Sequence, residues 1–389
     1  MKLVLVSGSL PAVRCGIGEY TARLASQLAL SPGITVQVLT TKNALVRPEA
    51  VAPAQVVRLV PGWSLPSVIR WARLIHRLAP DVVHIQYPAV GYERSLGVLF
   101  LPLAVRWLAR VPVVLTIHER SERRWHGRLA TDFMALTSSR IVVPDPIEAE
   151  ALRGRLRIFG TRVDVTQMIS TIPINGDADR AAFRARLGLA PGELLLGTFG
   201  LIHPRRRLED IIDSLVALRR STASHLLIVG GEADYDAQRA REYTEVLKRK
   251  IGDLGLSGSV TWLGYASSAE VSEALQACEV AALLYREGAS QRNTTLEAVL
   301  EHRLPVVTTD GPATSDSLRA TPNITFVRAG AYTPADLARA ILSAARTGWA
   351  DAGQRPAGSR LSQQVEAHVN LYRELIPARS ETPSGAPPR

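Results

Sequence analysis

Arg286, Arg292, Asn293, Thr294, Thr295 and Glu297 crowd into one short stretch. Guanidinium groups attract phosphate, and so do the free N–H groups at a helix start. A carboxylate one turn further along can accept from a hydroxyl beyond that phosphate. The chemistry this composition suits is recognition of a phosphorylated, hydroxyl-bearing ligand. The flanking residues indicate what positions it. An apolar run, Val280 to Leu284, ends at Tyr285, and a polar, glycine-containing loop follows to Arg292. Asn293, Thr294 and Thr295 then stand before a segment whose Leu296, Val299 and Leu300 share one helical face. Asn and Thr suit a helix start because their side-chain oxygens accept from the first-turn N–H groups. A second apolar run, Leu304 to Val307, closes a strand–loop–helix–strand unit. Its loop lies at the carboxyl end of a strand, where parallel sheets bind ligands.

The same alternation runs along the whole chain. Strands are expected at 3–6, 35–40, 56–60, 82–86, 111–117 and 140–143, then at 194–199, 225–229, 260–263, 280–284, 306–309 and 324–327. Helical periodicity between them argues for parallel sheets flanked by helices, an α/β fold. The loop after the first strand carries Gly16 and Gly18, which serve either a close backbone approach to a ligand or a tight turn alone. It lacks the G-x-G-x-x-G spacing, which argues against a dinucleotide site. His118 ends one strand on the expected cleft side, whereas His84 lies within a strand and reads as core. Two D-x-D triplets, Asp177–Asp179 and Asp234–Asp236, sit near helix starts, where acids are favoured by the dipole and carry structural roles.

The chain has 389 residues, enough for two or three domains, and a formal net charge of +10. Nearly all of that positive charge is arginine. A basic surface suits nucleotide substrates or anionic lipid, while nucleic-acid signatures are absent. Two cysteines, Cys15 and Cys278, make neither a disulfide framework nor a metal set. The first apolar run is too short for a signal peptide, and no stretch of about 20 apolar residues predicts a spanning helix. A cytoplasmic protein is expected. Segments 65–78 and 98–109 are basic and amphipathic, which fits ordinary packed helices or peripheral docking on an anionic inner membrane face.

The run from Arg286 to Thr309 resembles the nucleotide-contacting segment of retaining GT-B glycosyltransferases of the GT4-like group. The resemblance implies two facing Rossmann-like domains around a cleft: an acceptor domain over 1–173, a linker over 174–192 and a donor domain over 193–345. It further implies a helix over 358–376 crossing back to the first domain; the tail, 377–389, is expected to be disordered by composition. In that family a helix glutamate holds the donor ribose, matched here by Glu297. A second glutamate, eight residues earlier, contacts the donor sugar. Ala289 occupies that position, and Glu287 is the nearest acid. His118 matches a histidine that contacts the sugar. The segment from Gly200 to Arg207 is similar to the family's diphosphate-holding G-R-x-x-x-x-K-G; Gly200 matches, Leu201 replaces the first cation, and Arg206, beside Arg205, takes the lysine position. Gly264 and Tyr265 fall in the base-binding region, and Gly16 and Gly18 beside the donor phosphates.

The implied activity is sugar transfer from a nucleotide-sugar to a hydroxyl of a glycan or lipid-linked acceptor, with retained anomeric configuration. No cofactor or metal is implied, since the nucleotide-sugar is itself a substrate. Ala289 and Leu201 also fit a second reading, an inactive relative that binds nucleotide-sugar as a partner subunit. An epimerase on a similar fold and a nicotinamide dehydrogenase are the weaker rivals.

Overall fold

A computed structural model describes residues 1–92, 95–120, 124–157, 160–350 and 359–376. The expected disordered tail, 377–389, lies outside the described residues. The first half contains β1 (Lys2–Val6), α1 (Gly16–Ala29), β2 (Thr35–Thr41), β3 (Gln55–Val60), α2 (Leu65–Leu78), β4 (Val82–Tyr87), α3 (Gly97–Ala104), β5 (Val113–Ile117), α4 (Trp125–Thr137), β6 (Arg140–Val143), α5 (Pro146–Leu156) and β7 (Val163–Val165). These strands form one parallel sheet in the order β3-β2-β1-β4-β5-β6-β7.

The second half opens with α6 (Arg180–Arg186) and β8 (Leu194–Phe199), then α7 (Leu208–Arg219), β9 (Ser224–Val229), α8 (Ala237–Asp253), β10 (Val260–Gly264) and α9 (Ser268–Ala277). It continues through β11 (Val280–Leu283), α10 (Thr294–Glu301), β12 (Val306–Asp310), α11 (Asp316–Arg319), β13 (Ile324–Arg328) and α12 (Pro334–Thr347), and α13 (Ser359–Leu375) ends the described chain. Its parallel sheet is ordered β10-β9-β8-β11-β12-β13. The result is a two-domain α/β molecule of GT-B type. Strand positions agree with the alternation in sequence, with one omission. The three-residue edge strand β7 has too few apolar residues to show a pattern.

Strand order decides where ligands can go. In the first sheet the order reverses between β1 and β4, and in the second between β8 and β11. Loops leaving such a pair diverge to opposite faces and open a crevice at the strand carboxyl ends. The loop after β8 carries Arg205 and Arg206; the loop after β11 leads to Asn293 and Glu297. Central strands such as β4 and β5 are buried along their whole length, as strands covered by helices on both faces must be.

Local signals set the helix starts. Asp145 caps α5, accepting from the Ile147 N–H at 2.9 Å, with Pro146 in the first turn where no donor is needed. Asp179 caps α6 through the Ala182 N–H at 2.9 Å, the structural role expected of that triplet. Asp234 differs, since its carboxylate accepts from the Arg14 backbone N–H across the domains at 2.8 Å. Helix α2 is clamped by Trp71, which stacks on Trp63 at 4.5 Å and donates to the Gly62 carbonyl. That leaves Leu65 and Ile69 facing outward. Helix α13 returns to the first domain. Val365, Val369 and Tyr372 join the core of Leu3, Leu5 and Tyr20, and Glu374 pairs with Arg140 and Arg162. No helix among the described residues is long and apolar enough to cross a membrane.

Candidate functional site

Three consecutive arginines follow β8, and the fold gives each a different task. A single helical turn, Pro204–Arg206, is stopped by Arg207 in a left-handed conformation (φ 49°). Arg205 stays exposed. Arg207 pairs with Asp210 at 2.8 Å, which neutralises a cation that would otherwise oppose the dipole at the start of α7. Arg206 alone folds back toward the strand ends. Its Nη2 donates to the Phe199 carbonyl at 3.2 Å and to Thr295 Oγ1 at 3.0 Å, and its guanidinium lies 4.8 Å above the Tyr285 ring. The Tyr285 hydroxyl holds the same Thr295 oxygen at 2.9 Å. This path requires glycine at 200. The backbone there has φ 134°, and a Cβ would stand 1.8 Å from Arg206 Nη2.

Arg206 thereby reaches the first turn of α10. Asn293 occupies the N-cap position without capping; its Oδ1 accepts from the Ser290 N–H at 2.7 Å and shapes the loop instead. The expected side-chain cap is therefore absent; the Leu296 and Glu297 N–H groups donate instead to the Asn293 carbonyl at 2.9 and 3.2 Å, and the Thr294 N–H to the Arg292 carbonyl at 3.1 Å. Thr294 and Thr295 are half-buried, and Glu297 is buried on the first turn. A cation is thereby placed at the N-terminus of the helix that carries Glu297, and it is Arg206 of the β8 loop rather than the Arg286 and Arg292 that the composition of the stretch offered.

Arg292 goes elsewhere. It crosses to the first domain, where its guanidinium lies 3.6 Å from Asp145 and 4.0 Å from Glu148. Nothing in its spacing from Asn293 announces this, because both acids lie far away in sequence. Ala289 is fully buried, its N–H held by the Thr309 carbonyl at 2.8 Å. Glu287 is exposed, and its carbonyl receives the Ala313 N–H at 2.9 Å.

The first domain supplies the opposite wall. His118 follows β5 and is buried, with Nε2 2.8 Å from Gln86 Oε1 and the Tyr20 ring edge-on at 5.2 Å. Burial, and then the positive charge of Arg292, push its pKa down to about 3 from an ordinary 6.5. His118 is thus a neutral hydrogen-bonding group at physiological pH. Gly16 opens α1 with empty space where a Cβ would project, whereas a Cβ at Gly18 would stand 3.2 Å from the Ser9 backbone. The first has room for a ligand; the second serves packing.

Gly264 ends β10 with φ 73°, its carbonyl accepting from the Gly230 N–H at 2.9 Å. Tyr265, next in sequence, spans the cleft. Its hydroxyl donates to Glu19 of α1 at 3.0 Å, and the Arg14 guanidinium lies 4.9 Å over its ring. Burial raises the Glu19 pKa, an effect the Tyr265 hydrogen bond and Arg47 oppose. Sequence reasoning missed Glu19, Asp145, Glu148 and Gln86. Gln86 had a signal: it is a polar residue two positions from His84, on the same face of an apolar strand.

Comparisons with known proteins agree with the two-domain architecture that carries these residues. Residues 15–167 match the Glycosyl transferase 4-like domain, and residues 193–347 match Glycosyl transferases group 1. The D-inositol 3-phosphate glycosyltransferase of Nocardia farcinica (strain IFM 10152) is 29% identical over 276 residues, covering 64% of this chain and 59% of that protein. The chain spans less than two thirds of the length of the curated relatives it matches. In fold it resembles Anabaena Alr3699/HepE in complex with UDP and glucose, with TM-score 0.70 and 17% identity, covering 96% of this chain and 100% of that one. It also resembles the sucrose-phosphate synthase of Thermosynechococcus elongatus, with TM-score 0.66 and 17% identity over 97% and 100% of the two chains. One match falls on each of the two sheets, on either side of the cleft where Arg206 meets α10, and the chain belongs to the GT4-like, group 1 glycosyltransferases.

Proposed function

We propose that this protein transfers a sugar from a nucleoside diphosphate donor to an acceptor hydroxyl with retention of configuration. The observation that carries the reading is the placement of Arg206. A cation, the first-turn N–H groups of α10 and the buried Glu297 meet at the switch point of the second sheet. Arg206 and the Thr295 amide hold the diphosphate, Glu297 accepts from the ribose hydroxyls, and His118 and Glu287 meet the sugar. The bond from the anomeric carbon to the diphosphate oxygen breaks as the bond to the acceptor oxygen forms. The acceptor proton passes to the departing diphosphate on the same face, so no side-chain nucleophile is needed. The protein orients the two substrates and stabilises the charge growing on the leaving group.

The acceptor in this reading is a glycan or a lipid-linked sugar met at an anionic membrane face. Support comes from adjacent elements of the first domain. Leu65 and Ile69 on α2, Phe100 on α3, Trp107 and Leu108 just after it, and Trp125 on α4 are all exposed. Arg70, Arg73, Arg77 and Arg106 are exposed on α2 and beside Trp107. Aromatic groups at the headgroup level with cations around them suit an anionic surface.

A second reading, a donor-binding subunit without turnover, is favoured by Ala289, where the family's sugar-contacting acid is replaced by a methyl group sealed in the core. One experiment separates the two. The protein is incubated with a panel of nucleotide-sugars, with and without acceptor, and released nucleotide and product anomer are followed by NMR. Transfer with a retained anomer is expected. Tight nucleotide-sugar binding with no release under any condition would establish the second reading.

A further inference from the structure

A chain of buried polar groups runs from His118 to the last helix, and neither phosphate nor ribose recognition uses it. Gln86 sits between two imidazoles, with Oε1 2.8 Å from His118 Nε2 and Nε2 3.1 Å from His84 Nε2. His84 Nδ1 lies 2.7 Å from the Tyr372 hydroxyl of α13, and His84 Nε2 lies 2.6 Å from Thr116 Oγ1. Helix α13 also approaches from the other side. Its His368 lies 3.4 Å from the Tyr20 hydroxyl, and the Tyr20 ring packs edge-on against His118. His84, Gln86, Thr116, His118, His368 and Tyr372 are all buried.

A carboxamide is directional, since its oxygen only accepts and its nitrogen only donates. With the amide oriented as it stands, His118 must carry its proton on Nε2. His84 must present a bare Nε2 to Gln86 and Thr116, and so must carry its proton on Nδ1 and donate to Tyr372. Turning any one group over inverts the whole series. We infer that Gln86, His84 and Tyr372 are positioning residues for His118, holding it as the Nε2–H tautomer with Nδ1 as its acceptor, and so couple α13 to the site. Given the transferase reading on which this rests, His118 meets a sugar hydroxyl as an acceptor. Burial supports the directional account by keeping both rings uncharged: it holds His84 well below the ordinary histidine range, and His118 near 3.

Tyr372→Phe tests the idea with little change of shape. It leaves His84 Nδ1–H facing a ring edge, and a buried orphan N–H is rarer and costlier than an orphan acceptor. His84 then moves its proton to Nε2, Gln86 turns over, and His118 becomes the Nδ1–H tautomer. Long-range proton–nitrogen NMR spectra of the histidine-labelled full chain read this directly, with His118 assigned by its loss in His118→Gln. The expected result is an Nε2–H His118 in the native protein, and an Nδ1–H form or a mixture in Tyr372→Phe. Thr116→Val should leave the native tautomer, because Gln86 still donates to His84. Val369→Ala, which thins the same helix contact without touching the relay, should lower stability and also leave the tautomer. Nucleoside diphosphate affinity should hold in Tyr372→Phe, while kcat falls about tenfold, the size of one neutral hydrogen bond. An unchanged His118 tautomer in Tyr372→Phe overturns the relay, as does the same change in Val369→Ala. A tautomer switch in a protein that turns over no nucleotide-sugar leaves the relay standing and removes the transferase reading instead.

Discussion

The Arg292 guanidinium lies 3.6 Å from the Asp145 carboxylate, and the two residues belong to different domains. Both side chains are largely withdrawn from solvent, at 14% and 6% exposure. In so dry a setting a pair resists salt, and losing one partner costs more than the pair itself contributes. Tyr265 and Glu19 make a second crossing between the domains. The cleft is therefore bounded by polar contacts that a domain rotation would have to break.

Arg292→Ala should accordingly destabilise the ligand-free protein by about 3 kcal/mol, the low end for breaking a buried pair. Thermal unfolding gives the stability, and small-angle scattering should show a larger radius of gyration as the domains part. An unchanged melting point with weakened nucleotide affinity would instead assign Arg292 to the donor phosphate.

Glu297→Ala should weaken nucleotide binding by about 1.5–3 kcal/mol, the range for hydrogen bonds to a charged group. Calorimetry with the plain nucleotide is the check, and equal affinity in both proteins would remove the ribose assignment. Glu287→Gln should act differently if the exposed Glu287 meets the sugar as proposed, lowering turnover while nucleotide affinity stays level in the same calorimetry.

The arginine run divides the same way. Arg206→Ala should cost about 3–4 kcal/mol of barrier, roughly 10²–10³ in turnover, by analogy with one oxyanion donor. Arg207→Ala should instead lower stability by at most ~1 kcal/mol, because its partly exposed pair with Asp210 is screened by solvent. Arg205→Ala should change neither much. Turnover assays of the three side by side decide it, and full activity in Arg206→Ala would move the diphosphate elsewhere.

The buried His118 makes stability pH-dependent. Its pKa is 6.5 unfolded and about 3 folded, so the unfolded chain binds the extra proton between those values. Stability is intact above pH 6.5 and falls as pH drops toward 3, by at most ~1.4 kcal/mol for each pH unit crossed. His118→Gln should flatten the decline in chemical-denaturation curves over that window, though only in part. His84, also held below its ordinary range, still contributes. An identical decline in both proteins would exclude His118 as its source.

Vesicle binding tests the surface of the first domain. Trp107→Ser together with Trp125→Ser should abolish cosedimentation with anionic vesicles at low salt, while raised salt weakens the native protein because the arginine attraction is screened. Equal binding by the double variant would place any membrane contact on another face.

Strand–helix alternation, the division into two α/β halves and the strand–loop–helix unit that carries Glu297 were all legible in the order of residues. Each rests on local periodicity or on a short loop joining adjacent elements, and such information is carried by near neighbours in the chain. Other features depend on which distant elements pack together: Arg292 turning to Asp145, Tyr265 reaching Glu19, and His84 serving a relay to Tyr372 where it read as simple core. In the last case 288 residues separate the partners. Only the closed cleft and the return of α13 bring such groups within hydrogen-bonding range. Burial then makes their pairing obligatory, because a polar group removed from water must find its partner in the protein.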